Sequence, residues 1–76
     1  MNYWEAMMDV RYRSLFGSNV QVNRQFDMYV QGLIDGIEAH AIHKDGQRLC
    51  GALQRPLQEV RDEILAASRV VLQRYR

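Results

Sequence analysis

The chain has 76 residues and a formal net charge of +1, so it is one small domain with no strong electrostatic pull toward nucleic acid or anionic lipid. Apolar residues make up 47% and charged residues 25%, proportions of a globular protein rather than a disordered tail. A single cysteine excludes an internal disulfide scaffold, and no apolar run approaches the roughly 18 residues of a membrane span. The N-terminus lacks a signal-peptide pattern, which points to the cytoplasm, with the periplasm as the alternative if a signal peptide has been removed.

Hydrophobic spacing predicts three helices and no strand, hence an all-α fold: a three-helix bundle with one long central helix over residues 1–76. The first helix is expected from about Tyr3 to Phe16. Asn2 followed by Glu5 fits a capping box, and Asp9 with Arg13 forms an i,i+4 ion pair. Trp4, Met7, Met8 and Leu15 share its apolar side. Gly17, Ser18 and Asn19 then read as a turn.

The second helix is expected from Val20 or Val22 to His43. Val22, Phe26, Val30, Leu33, Ile37 and Ala41 recur at three- and four-residue intervals. A second strip of Gln25, Tyr29, Gly32, Gly36 and His43 runs beside them. Gly32 and Gly36 are the most informative residues of the chain, because each glycine inside a helix costs about 1 kcal/mol relative to alanine. Two on one face imply that something approaches the backbone closely, either another helix of the same chain or a partner. Lys44, Asp45, Gly46 and Gln47 read as the helix stop, and residues 48–54 as a short connection. Pro56 suits the first turn of a third helix, whose period runs through Leu57, Val60, Ile64, Ala67, Val71 and Tyr75.

Chemistry-bearing motifs are sparse. His40, His43 and Cys50, with Glu38 or Asp45, offer zinc-type ligands at a spacing that matches no established finger or protease. Cys50 with a histidine base lacks an orienting acid, so no enzyme and no cofactor are expected. Arg11, Arg13 and Arg24 cluster early and Arg69, Arg74 and Arg76 late, which keeps a small DNA-binding regulator of helix-turn-helix type as the alternative function; interspersed acids weaken it.

The segment Tyr29-Val30-Gln31-Gly32-Leu33-Ile34-Asp35-Gly36, followed by Cys50, Gln58 and Val70-Val71-Leu72, resembles the immunity proteins that neutralise type VI secretion amidase effectors. The resemblance covers about residues 26–75. It implies a helical, often dimeric, non-enzymatic protein that inhibits a partner enzyme by covering its active site. That family has a cysteine three positions before the tyrosine, disulfide-bonded to the loop cysteine, where this chain has Phe26. The sequence-level expectation is therefore a homodimeric inhibitor of a bacterial enzyme or defence complex, of immunity type or encoded by a phage or plasmid. Tyr29, Gly32, Gly36 and His40 form its contact surface, with Trp4 and Met8 as second choices.

Overall fold

The computed structural model describes residues 2–17 and 21–75. Three helices, α1 (Tyr3–Ser14), α2 (Val22–Ala39) and α3 (Leu57–Arg74), are joined by three short strands, β1 (Ala41–Lys44), β2 (Gln47–Cys50) and β3 (Arg55–Pro56), inserted between α2 and α3. The strands form one antiparallel sheet of order β1-β2-β3. The architecture is thus α+β, which corrects the all-α three-helix bundle expected from hydrophobic spacing.

Helix α1 begins where the capping box places it. The Glu5 backbone N–H donates to Asn2 Oδ1 at 2.9 Å, and Asn2 Nδ2 donates to Glu5 Oε1 at 3.3 Å. Its reciprocal bond therefore runs between the two side chains rather than to the Asn2 backbone. Gly17 follows the helix at φ 86°, a left-handed conformation that suits glycine, while the expected turn residues Ser18 and Asn19 lie outside the described residues.

The largest departure comes at the end of α2. The helix stops at Ala39, and His40 leaves helical geometry with φ −104° and ψ 16° while still donating its N–H to the Gly36 carbonyl. What reads as four further helical residues and a helix stop is a β-hairpin. Asp45 and Gly46 carry φ of 51° and 78°. Positive φ at both central residues makes the two-residue turn whose twist matches that of paired strands, which is why Asp-Gly favours it. The register Ile42 to Leu49 and His43 to Arg48 follows from that turn. Residues 48–54, expected as a connection, supply β2 and a tight return. In that return the N–H groups of Leu53 and Gln54 both donate to the Cys50 carbonyl. Pro56 closes β3 opposite Leu49 and stands immediately before α3, where its missing N–H leaves no bond unmade.

The core runs along the inner faces of the helices. Met8 and Tyr12 come from α1, Phe26, Val30 and Ile34 from α2, and Val60, Ile64, Ala67 and Val71 from α3, with Cys50 and Leu57 closing the hairpin end. Helix α3 touches both other helices and the sheet. An aromatic group locks α1 to the chain's end: Tyr12 stacks on Tyr75 at 4.8 Å and meets Phe26 edge-on at 5.1 Å. The fold is a slab of 46 × 23 × 14 Å, and its radius of gyration, 13.7 Å, exceeds the roughly 11 Å of a compact chain this long.

Asp9 ties α1 to α3. Its carboxylate accepts from Arg74 Nη1 and the Tyr75 hydroxyl, each at 2.8 Å, and pairs with Arg13 Nε at 3.0 Å. The bonds from Arg74 and Tyr75 hold its carboxyl below the ordinary 3.8, against an opposing push from desolvation. Burial, reinforced by the bond to Asp9, raises the Tyr75 phenol. Because the folded state depresses the Asp9 pKa, its contribution is complete above the unfolded value and is lost as pH falls through the lower folded one. In urea titrations the wild-type midpoint is expected to fall between about pH 5 and pH 2, and the fall to be shallower in Asp9→Asn.

Candidate functional site: a glycine-floored groove

Gly32 and Gly36 do not receive a neighbouring helix. Among the described residues, a Cβ built on either would meet no atom within 4 Å beyond its own helical turn, which overturns the reading that they let another helix of this chain pack closely. The apolar stripe of α2 turns Phe26, Val30 and Ile34 inward, and the glycines, most of a half-turn around the helix, face out. They form the floor of an open groove of about 370 Å³.

Leu33 and Ile37 of α2 make one side of this groove and His40 stands at its end; the return after β2, Cys50, Gly51 and Ala52, makes the other. That opposite side is set by one close approach. A Cβ on Gly51 would lie 2.8 Å from the His40 carbonyl oxygen, so only glycine lets the end of β2 pass the end of α2 at this distance. The exposed surface inside is overwhelmingly apolar. Such a surface recognises shape and hydrophobic side chains rather than charge.

The structure brings together three of the sequence-derived contact residues, Gly32, Gly36 and His40. Tyr29 lies one turn nearer the N-terminus of α2, half-buried, with the Arg11 guanidinium 5.2 Å from its ring centroid. Trp4 is half-buried at the start of α1, edge-on to Tyr3 and packed against the core. Met8 is 0% exposed and belongs to the core, so it presents no surface to a partner. Sequence reading missed the wall formed by Cys50, Gly51 and Ala52. The signal for it was Asp45-Gly46, since a hairpin there turns the chain back against the end of α2.

Cys50 and His40 share the groove, but Cys50 is 4% exposed and no hydrogen bond joins the two among the described residues. No group of three or more His, Cys, Asp or Glu side chains among the described residues is placed to hold a metal ion. The groups with shifted pKa values, Asp9, Tyr75 and Arg55, lie outside the groove lining. Arg55 is held charged by Glu59 and Glu63, tying β3 to α3. No helix of the described chain is long and apolar enough to cross a membrane. The chain matches no family model, no curated protein and no solved structure.

Proposed function

We propose that this chain is a non-enzymatic α+β protein that binds a partner protein, an enzyme or defence complex of a bacterial cell, and inhibits it. The cytoplasm is the compartment that goes with this reading. The observation that carries it is the outward-facing glycine pair at the floor of an apolar groove. Two helix-weakening residues stand on a surface where, among the described residues, no other element of the chain comes within 4 Å of the space a side chain would take. An apolar side chain of a partner, seated between Leu33, Ile37 and the Gly51 wall, would find a backbone-lined floor that no larger residue leaves open. Burial of Cys50 speaks against nucleophilic catalysis. Arg13 and Arg74 both serve Asp9, and Arg61 pairs with Glu38, so much of the basic charge is already engaged within the fold, which favours a protein partner over duplex DNA.

Affinity capture from bacterial lysate with the wild-type chain and Gly36→Leu tests this. Among the described residues, the Cβ of a leucine at position 36 meets no atom within 4 Å beyond its own helical turn, so the variant is expected to fold. It is also expected to lose a captured protein whose activity the wild type suppresses. Capture and inhibition unchanged in both Gly36→Leu and Leu33→Asp would exclude the groove as the contact surface.

A further inference from the structure

We propose that the cleft between the start of α2 and the end of α3 binds a guanidinium group, carried on an arginine side chain of a partner protein. The cleft has a volume of about 270 Å³ and is lined by Tyr12, Asn23, Asp27, Leu72 and Tyr75, so all three helices contribute to it. At roughly 100° per residue, Asn23 and Asp27 lie on the opposite side of α2 from Gly32 and Gly36. This cleft and the apolar groove are therefore separate surfaces. The inference goes beyond the inhibitory reading and does not rest on it.

The walls are fixed before anything binds. Tyr12 and Tyr75 stack with their centroids 4.8 Å apart and their planes 13° from parallel. The Tyr12 hydroxyl donates to Asn23 Oδ1 at 2.6 Å and the Tyr75 hydroxyl to Asp9 Oδ1 at 2.8 Å, so both rings are held at their far ends. Tyr12 is buried and Tyr75 half-buried, which leaves Tyr75 as the ring a ligand can reach. Asp27 is the polar group left over. It is exposed, and among the described residues it has no hydrogen bond and no ion pair, even with Arg69 one turn before Leu72 on α3. The cations beside Tyr75, Arg13 and Arg74, are both turned to the Asp9 carboxylate.

The carboxylate and the ring together select the occupant. An anion meets Asp27 as a like charge. An apolar group covers the carboxylate without supplying a donor, which costs its hydration. A cation supplies the missing donors and is drawn to the aromatic face. Guanidinium suits the site better than ammonium because it is flat and weakly hydrated, and stacks on a ring while its fork of N–H groups reaches a carboxylate. Asn23 Oδ1 accepts one bond from Tyr12 and keeps a second lone pair for a further N–H. Rings already held in place lower the ordering cost of binding.

An NMR titration of the isotope-labelled chain with N-acetyl-arginine-N-methylamide is the test, because that compound presents the side chain as a protein does and its guanidinium is its sole charge. At neutral pH and constant ionic strength, amide shifts around Asn23, Asp27 and Leu72 are expected to saturate with a Kd on the order of 1–10 mM, the strength of one charge-assisted contact and one ring face. The citrulline analogue, uncharged and of the same shape, should bind at least about tenfold more weakly, and the lysine analogue between the two. Asp27→Asn should weaken arginine binding by about tenfold and leave citrulline binding unchanged, with an otherwise unaltered spectrum showing the fold intact. Shifts that rise linearly without saturating overturn the inference. Citrulline binding equal to arginine, or arginine binding unchanged in Asp27→Asn, overturns it as well. Lysine binding as tight as arginine overturns the assignment to guanidinium. Saturable shifts centred on Gly32 and Gly36 put the compound in the groove and overturn the proposal equally. None of these outcomes depends on capture of another protein.

Discussion

Gly51→Ala is expected to remove about 2–3 kcal/mol of stability, a cost typical of forcing an extra methyl against atoms that cannot give way. The added Cβ falls 2.8 Å from the His40 carbonyl oxygen, a backbone atom that cannot swing aside as a side chain does. Both sides of the contact are anchored. His40 is held by its own N–H to the Gly36 carbonyl. Gly51 follows Cys50, whose carbonyl takes the N–H groups of Leu53 and Gln54, and its own carbonyl accepts from Gln54 Nε2 at 2.8 Å. Relief must therefore come from moving the hairpin off the end of α2, which uncovers Cys50 and Leu57. A domain this small has on the order of 5 kcal/mol in total, so the urea midpoint should drop by roughly half. Gly46→Ala makes an instructive comparison. It meets open space and suffers only from φ 78°, for a loss of about 1 kcal/mol. Circular dichroism in urea separates the two, and a loss at Gly51→Ala no larger than at Gly46→Ala would show that the approach to the His40 carbonyl is relieved at little cost.

That contact is also where the sequence is hardest to read. Hydrophobic spacing finds α1 and α3 because both have local signals, the Asn2–Glu5 cap and the unbroken period from Leu57. It overshoots α2 because Ala41 continues the period of Ile37, and a four-residue strand is too short to show a period of its own. Asp45-Gly46 is compatible with a helix stop and with a hairpin turn. What decides is that Leu49 and Cys50 become buried if the chain folds back, a tertiary gain no local window contains. The same limit applies to the site. Of the strip Gln25, Tyr29, Gly32, Gly36 and His43 read from helical geometry, Gly32 and Gly36 do face outward, while Tyr29 is half-buried and His43 lies on β1. The groove's opposite wall comes from residues about 15 positions on, and the placement of Met8 in the core depends on α2 and α3. The partners that Asp9 finds in Arg74 and Tyr75, 65 and 66 positions away, are beyond any reading of spacing, although its i,i+4 bond to Arg13 is not.

Replacing both outward glycines, as Gly32→Ala with Gly36→Ala, is expected to stabilise the fold by about 2 kcal/mol, about 1 for each. Among the described residues, neither methyl meets an atom within 4 Å beyond its own helical turn, so the gain in helix propensity comes without a packing cost. Helix propensity is a property of each residue's own backbone and side chain, so the two gains are expected to sum. For a domain of this length each kcal/mol raises the melting midpoint by roughly 4–8 °C, so the double variant should melt 8–16 °C higher. If the glycines served packing inside the chain, the sign would reverse, and a thermal melt decides between the two directly. The same two methyls thicken the groove floor from backbone to side chain. Capture of a partner should therefore weaken in a protein that is more stable than the wild type. Opposite movement of stability and binding distinguishes a surface kept for contact from one kept for folding. A double variant that melts higher and still captures its partner at wild-type strength would leave Gly32 and Gly36 without a binding role, and the contact would have to rest on Leu33, Ile37 and the Gly51 wall.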